Sequence, residues 1–197
     1  MQSSFIAWIV RMPLISRWGL MHCIKKENIS EHSHQVGSIA LMLGVIGNVY
    51  FKKRWNVDRL ASLGLFHEMS ESKLNDLSSP VKYSNENFTR EYKRLERMAE
   101  EECLQTLPAE MQDAMRDYII QDYVDTEYKA LVKAADIIAA YIKSLDELSF
   151  QNKEFVDVKA SLERQLREIN LPEVDLFLST FVQKCTATVD DLCGEVA

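Results

Sequence analysis

KALVKAADIIAAYIKSL, residues 129–145, is the stretch that decides the fold. It contains no glycine or proline, and its apolar residues recur at the three- and four-residue spacing of one helix face. Asp136 lies near its middle, four residues after Val132 and three before Ala139, which puts a carboxylate on or beside the buried face. An unpaired carboxylate there costs at least roughly a few kcal/mol, so we expect Asp136 to have a charged partner or a metal ion.

The same periodicity runs through most of the 197 residues, and six glycines and four prolines leave few places for turns. Ser30 is predicted to cap a helix that runs to about Phe51, and a second helix is predicted from Val57 to about Ser72. Further helices are predicted over 88–104, 108–123, 125–148, 153–169 and 172–192. Residues 74–87 break the pattern and predict a loop long enough to have a function. We therefore predict one all-α domain over residues 1–197.

The charge balance and the cysteines limit the classes of partner and compartment. There are 23 Lys and Arg against 30 Asp and Glu, and the net charge of −7 argues against nucleic-acid or anionic-membrane binding. Residues 33–51 lack charged side chains, but their serines and glycines favour a covered central helix over a membrane span. MQSSFIAWIV at the start predicts a short core-packing helix and not a signal peptide. Cys23, Cys103, Cys185 and Cys193 form no CxxC pair, so we expect buried, reduced thiols and a cytoplasmic protein.

Two further stretches place histidine beside carboxylates. His32 follows Ser30-Glu31 in the first turn of its predicted helix, and His67-Glu68 lies inside the apolar run LASLGLFHEMSE. Together with Asp136 they could form a mixed histidine and carboxylate metal site, or each could be a satisfied core residue. Their spacing along the chain does not decide between these two interpretations.

Five motifs occur in order along the chain. They are RMPLISRWGLM (11–21), NISEHSHQVGSIAL (28–41), LGLFHEMSES (63–72), NDLSSPVKY (75–83) and LVKAADIIAAYIKSLDEL (131–148). Together they resemble the HD-domain phosphohydrolases, and most of all the bacterial 5′-deoxynucleotidases. The resemblance extends from Phe5 to beyond Leu148 and implies an HD-type helical bundle with a metal site between central helices. It also implies hydrolysis of deoxyribonucleoside 5′-monophosphates by a homodimer.

The resemblance further implies that one divalent ion, Co²⁺, Mn²⁺, Zn²⁺ or a similar metal, is bound by His32, His67, Glu68 and Asp136. Glu68 departs from the family pattern, which has aspartate there, and its carboxylate reaches about 1.5 Å further because the side chain has one more methylene. Glutamate remains a competent oxygen ligand, so a changed metal preference is one consequence. His34 lies two residues after His32 and points elsewhere on a helix, which makes it a weaker candidate.

The other family roles follow residue by residue. Arg17 is implied to bind the substrate phosphate, and Trp18 to lie against the sugar and leave little room for a 2′-hydroxyl. Glu71 is implied to be the general acid or base, and Asp76 to orient the 3′-hydroxyl or the attacking water. Lys82 is implied as a further phosphate contact, and the remaining implied substrate contacts are His32, Glu68, Leu77, Ser78, Ser79 and Asp136.

Two alternatives stay open at this point. One is a deoxynucleoside triphosphate hydrolase on the same scaffold, for which Lys73 and Lys82 near the pocket gain importance. The other is a catalytically silent nucleotide-binding protein, which the substitution at Glu68 motivates. An activity assay separates the three hypotheses. The first predicts release of phosphate from a monophosphate, the second predicts release of triphosphate, and the third predicts neither.

Overall fold

The structure is a computed structural model that describes residues 2–194. Its α-helices are α1 (Phe5–Ile9), α2 (Ile29–Tyr50), α3 (Val57–Phe66), α4 (Glu71–Leu74), α5 (Ser79–Lys82), α6 (Glu86–Gln105), α7 (Ala109–Ile119), α8 (Thr126–Ser149), α9 (Val156–Ile169), α10 (Pro172–Phe181) and α11 (Val189–Cys193). Single-turn 3₁₀ segments cover Met12–Leu14, Gln121–Tyr123, Lys153–Phe155 and Val182–Lys184. No strand forms within residues 2–194, so the all-α prediction is confirmed.

Helix α2 begins at Ile29, because Asn28 and not the predicted Ser30 is its N-cap. The Asn28 side chain accepts a hydrogen bond from the Glu31 backbone N–H at 3.0 Å. The Glu31 carboxylate accepts in return from the Asn28 backbone N–H at 3.2 Å, which completes a capping box. This reciprocal pair stabilises the first helical turn, the turn that positions His32.

The single helix predicted over 57–72 is in fact two helices with a turn between them. Helix α3 ends at Phe66, residues 67–70 form the turn, and α4 begins at Glu71. His67 keeps right-handed helical φ and ψ of −64° and −23°. Within the turn, His67 Nε2 and Glu68 Oε1 nevertheless lie 3.4 Å apart, so both side chains reach the same place.

Helices α2, α3, α8 and α10 enclose the main core, and α2 crosses α3 at two glycines. A Cβ atom on Gly64 would lie 2.7 Å from the Gly37 Cα and 2.8 Å from the Gly37 nitrogen. Backbone atoms cannot move aside as a side chain can, so this crossing requires glycine at position 64. His67 follows Gly64 by one helical turn, and the close approach therefore brings it near His32 on α2.

Helix α6 buries a narrower face than its sequence predicts. Tyr92 and Ala99 are buried as predicted, but Phe88, Leu95 and Met98 are 39%, 44% and 45% exposed. The helix packs against α4, α5 and α7 on one side and borders solvent on the other, so an apolar residue at helical spacing is not covered there.

Several other residues that were predicted to be buried are exposed. Tyr50, predicted to be on the buried face of α2, is 67% exposed because it is the last residue of the helix. Of the four free cysteines only Cys103 is buried, whereas Cys185 and Cys193 are exposed. Helix α1 buries Phe5 but leaves other apolar residues in solvent. Among residues 2–194, no helix has the length and apolar character to cross a membrane.

Candidate active site

Four side chains converge where α2, α8 and the turn after α3 meet. They are His32, His67, Glu68 and Asp136, and one potential ligand atom of each lies within 4.8 Å of the others. The two imidazole rings have centroids 5.2 Å apart. His32 Nε2 lies 3.1 Å from Asp136 Oδ1, and His67 Nε2 lies 3.4 Å from Glu68 Oε1. The structure thus brings together the four residues that the resemblance implied as ligands.

The donor set of this cluster fits a divalent metal ion. His67 Nδ1 lies 2.7 Å from the Gly64 carbonyl oxygen, so Nδ1 carries the hydrogen and Nε2 has the lone pair. Nε2 is buried and has no hydrogen-bond partner among the described residues. The Gly64 carbonyl orients the His67 imidazole, and two nitrogen and two oxygen donors lie around one point. First-row divalent ions bind to such donor sets.

Three of the four groups, His32, Glu68 and Asp136, have protonation states that suit a metal ligand. Burial lowers the pKa of His32, which favours the neutral imidazole. Burial alone would raise the pKa of Glu68 and of Asp136, but His67 outweighs it at Glu68, and His32 with Lys133 outweighs it at Asp136. Both pKa values therefore fall below their ordinary range, and both carboxylates are charged at neutral pH. Burial also opposes the charging of His67, yet these carboxylates raise its pKa overall.

Glu71 and Asp76 lie on the next segment of the chain, beside the cluster. Glu71 opens α4, is 7% exposed, and its buried Oε2 has no hydrogen-bond partner within residues 2–194. Burial, with the Glu68 carboxylate beside it, raises the pKa of Glu71 to about 11. Burial also raises the pKa of Asp76. Asn75 between them has φ 64° and ψ 167°, a conformation that is essentially restricted to glycine.

Arg17 and Trp18 approach the cluster from the segment before α2. The charge of Arg17 lowers the pKa of His32 and opposes the rise at Asp76, which places the guanidinium near both. Its Nη1 is buried and unpartnered among the described residues. The Trp18 backbone N–H donates to Asp76 Oδ2 at 3.3 Å, and its indole Nε1–H donates to Glu27 Oε2 at 2.7 Å.

The other predicted substrate contacts follow Asp76 in the chain. Leu77 and Ser78 are half-buried and Ser79 is exposed, and Ser78 precedes α5 without using its side chain as a cap. Lys82 closes α5, and its Nζ lies 2.6 Å from Glu96 Oε1. His34 is exposed on α2 and does not belong to the cluster of four.

Three residues at or near this site escaped the sequence analysis. Lys133 pairs with Asp136 at 2.7 Å, and its position three residues earlier on the same helix was a usable signal. Glu96 pairs with Lys82 from another helix, and Glu27 contacts Trp18 from across a loop. No local sequence pattern predicts either of those two contacts.

Comparisons with known proteins agree with this architecture. The family model described as 5′-deoxynucleotidase YfbR-like matches residues 4–185. A 5′-deoxynucleotidase of Yersinia pestis (strain Pestoides F) is 40% identical over 190 residues, which is 96% of each chain. A 5′-deoxynucleotidase of Yersinia pseudotuberculosis serotype O:3 has the same identity and coverage.

Solved structures share the fold at lower identity. An HD-domain phosphohydrolase from Listeria innocua superposes with a TM-score of 0.79 at 20% identity, covering 98% of this chain and 96% of its own. A cyanophage S-2L HD phosphohydrolase, bound to dA and one catalytic Zn²⁺ ion, gives a TM-score of 0.67 at 18% identity, covering 90% and 96%. Together, the match over most of the chain and the cluster that its four motif residues form show that this protein belongs to the YfbR-like 5′-deoxynucleotidase family.

Proposed function

We propose that the chain hydrolyses deoxyribonucleoside 5′-monophosphates to a deoxynucleoside and inorganic phosphate. The observation that carries this proposal is the convergence of two imidazoles and two carboxylates in a cleft that also contains Arg17 and Glu71. The 40% identity to relatives named 5′-deoxynucleotidase supports the reaction. The dA bound by the cyanophage phosphohydrolase supports a deoxyribonucleoside as the part that the cleft accepts.

His32, His67, Glu68 and Asp136 are the proposed ligands of one divalent ion, with Co²⁺, Mn²⁺ and Zn²⁺ as candidates. When bound, such an ion supplies Lewis acidity and a water of lowered pKa. The catalytic Zn²⁺ of the cyanophage protein supports zinc among these candidates. The approach of His32 Nε2 to Asp136 Oδ1 at 3.1 Å and of His67 Nε2 to Glu68 Oε1 at 3.4 Å supports this ligand set.

Arg17 is the proposed phosphate-binding residue. The Nη1 atom of its guanidinium is buried and has no hydrogen-bond partner among the described residues. A buried charged donor of this kind costs free energy unless an anion accepts its hydrogen bond. The planar fork of arginine binds two phosphate oxygens at once, and its charge persists at any pH of interest. Lys82 is a proposed further contact, although its ammonium is now paired with Glu96.

Glu71 and Asp76 are the proposed proton-handling and orienting groups. The Glu71 carboxyl has a buried Oε2 that no described residue engages, so it is free to give a proton to the departing 5′-oxygen. Asp76 uses Oδ2 to hold the Trp18 backbone N–H, which leaves Oδ1 for the sugar 3′-hydroxyl or the attacking water. Trp18 then covers the sugar face, and Leu77, Ser78 and Ser79 border the nucleoside.

The charges around the cleft favour a monophosphate over a triphosphate. Lys73 Nζ lies 2.7 Å from Glu102 Oε2, and Lys82 Nζ lies 2.6 Å from Glu96 Oε1. Both lysines that a triphosphate would use are thus already neutralised by glutamates. Glu68 reaches the cluster in spite of its extra methylene, which argues against a silent site.

The test is a substrate panel with the full chain. Protein stripped with a chelator is supplied with Co²⁺, Mn²⁺ or Zn²⁺ and offered dNMPs, NMPs and dNTPs, and released phosphate and triphosphate are measured. We expect phosphate from dNMPs, and little from NMPs. Asp136→Asn should abolish turnover, while Glu127→Gln, an exposed carboxylate on the same helix, should not. Triphosphate release alone, or silence with every metal, overturns the proposal.

We also propose a cytoplasmic homodimer. Ile6, Val10, Leu14 and Leu20 are 64%, 68%, 76% and 75% exposed within the first turns of the chain, which is apolar surface that a second copy could cover. The four free cysteines support a reducing compartment. Light scattering coupled to size exclusion should give twice the chain mass, and a monomer at micromolar concentration overturns the dimer.

A further inference from the structure

Glu27 holds the two residues proposed to contact substrate through three contacts, which two of its oxygen atoms make. Its Oε2 accepts the Trp18 indole N–H at 2.7 Å and lies 3.5 Å from Arg17 Nε. Its carbonyl oxygen accepts the Arg17 backbone N–H at 3.0 Å. The side chain is 7% exposed, so these bonds form in a largely dry environment where a charge-assisted hydrogen bond is strong.

Glu27 also connects this pair to the helix of the metal cluster. Ser16 and Asn28 form an isolated antiparallel bridge, and the Ile29 N–H donates to the Ile15 carbonyl at 3.1 Å. Asn28 is the N-cap of α2, the helix whose first turn positions His32. The position of Arg17 and Trp18 relative to the cluster is therefore set through Glu27 and the two residues that follow it, Asn28 and Ile29.

Trp18 needs this support because its backbone is strained. Its φ of 61° is left-handed, which is unusual for a bulky residue and persists only where the surroundings determine it. The Trp18 carbonyl accepts the Met21 N–H at 2.9 Å, and the Trp18 N–H donates to Asp76. The ring meets Phe155 edge-on at 5.3 Å, and the Arg17 guanidinium carbon lies 5.6 Å from the ring centroid. The bond to Glu27 is the hydrogen bond that the indole N–H donates, and its direction favours one rotation of the ring.

We propose that Glu27 is a positioning residue that orients the Trp18 indole and thereby sets the preference for deoxyribose over ribose. This inference rests on the proposed function and on the role of Trp18 in it. Glu27 acts through Trp18 and secondarily through Arg17, and it does not touch the reacting atoms. An indole that can rotate no longer blocks the space of a 2′-hydroxyl.

Two substitutions separate orientation from charge. Glu27→Gln keeps an oxygen that accepts the indole N–H but gives Arg17 no charge, whereas Glu27→Met keeps the length and removes both contacts. We expect Glu27→Met to lower the ratio of kcat/KM for dAMP to that for AMP about 10-fold or more, as loss of one charged hydrogen bond implies. Glu27→Gln should keep the ratio within about 3-fold and raise KM for both substrates.

A matched control and a double-mutant cycle exclude a merely structural effect. Glu154 accepts the backbone N–H of His22, on the loop after Trp18, at 2.7 Å. Glu154→Met removes that bond without removing a hydrogen bond of Trp18, and it should leave the ratio unchanged. Trp18→Phe retains a ring but has no N–H, and in that background Glu27→Met should lower the ratio no further. A fully additive effect of the two substitutions overturns the proposal. Urea unfolding checks that each variant is folded.

Equilibrium binding separates failure of this inference from failure of the proposed function. Titration calorimetry of dAMP and AMP with the metal-free protein gives a binding ratio that needs no turnover. If the wild type hydrolyses no dNMP, the proposed function fails and the binding ratios of wild type and Glu27→Met still decide on Glu27. If the wild type prefers dAMP and Glu27→Met keeps that preference, only Glu27 fails. Equal binding and turnover of both sugars by the wild type overturns the role of Glu27 as well.

Discussion

Gly64→Ala should weaken both the fold and the metal cluster, because the added methyl group meets backbone that cannot move aside. The new Cβ would stand 2.7 Å from Gly37 Cα, 2.8 Å from Gly37 N and 3.0 Å from the Val36 carbonyl carbon. Normal contact between such atoms is about 3.5–4.0 Å, so α2 and α3 must separate by about 1 Å. His67 directly follows α3 and moves with it, while His32 is anchored on α2, so the separation opens the cluster.

The magnitude follows from two opposing effects. Overpacking of a tight contact costs about 1–3 kcal/mol, whereas replacing glycine by alanine in a helix returns about 1 kcal/mol. We expect a net loss of about 1–2 kcal/mol in the free energy of unfolding. A displacement of about 1 Å at a reacting centre can cost about 100-fold in rate, so turnover should suffer more than stability does.

Gly44→Ala is the matched control on the same helix pair. A Cβ at Gly44 meets only side-chain atoms, the nearest being a Leu60 methyl at 2.5 Å, which can change rotamer. Urea unfolding, metal affinity by chelator competition and dAMP turnover are measured for wild type and both variants. Gly44→Ala should lose less than about 1 kcal/mol and keep its metal affinity. If Gly64→Ala matches the wild type in stability and metal affinity, the argument from backbone contact is wrong.

Three further predictions concern backbone strain, pH and the metal ligand that departs from the family. Asn75→Gly should raise the free energy of unfolding by about 1 kcal/mol since φ 64°, ψ 167° suits glycine, while Asn170→Gly, at an ordinary left-handed φ of 51°, should change it little; equal effects would contradict this. Burial raises the pKa of Glu100 to about 7, and the negative charge of Asp122 adds to this rise. The stability that Glu100 contributes is therefore fully present below its unfolded pKa near 4.5 and is lost as the pH rises through 7. Urea unfolding of Glu100→Gln should therefore show about 1–3 kcal/mol less decline from pH 5 to pH 8, and a slope equal to that of the wild type would refute it. Glu68→Asp should retract the carboxylate by about 1.5 Å and lower metal content and dNMP turnover, with Glu68→Ala lower still; equal values in all three proteins would show that position 68 is not a ligand.

Much of the fold was accessible from local pattern. Helix α8 was predicted almost to its ends, because an uninterrupted run of good helix formers with Asp125 before it has one favourable backbone conformation. The need of Asp136 for partners also followed from sequence, since a carboxylate on a buried face has to be compensated wherever the helix packs. The order of the motifs then indicated the family and the residues that meet in the cleft.

The break after Phe66 was the error with the greatest consequence for the site. A continuous helix was predicted through 57–72, whereas residues 67–70 form a turn in which His67 Nε2 and Glu68 Oε1 lie 3.4 Å apart. The apolar spacing gave no warning, because the run LASLGLF continues into the turn without a proline. The capping box at Asn28 is the opposite case, in which the local signal was present and Ser30 was chosen instead.

By itself, then, the sequence determined which segments are helical, which polar residues must be compensated and which family the motifs match. Those properties depend mainly on residues that are close in sequence, such as neighbours three or four positions away on a helix. Only the tertiary structure decided that Glu27 holds Trp18, that Lys82 pairs with Glu96 and that α6 leaves part of its apolar face in solvent. Each of these depends on how far apart two separately folded segments lie and which way their side chains turn. A hydrogen bond is made or lost within a few tenths of an ångström, and that distance is set by packing across the whole bundle.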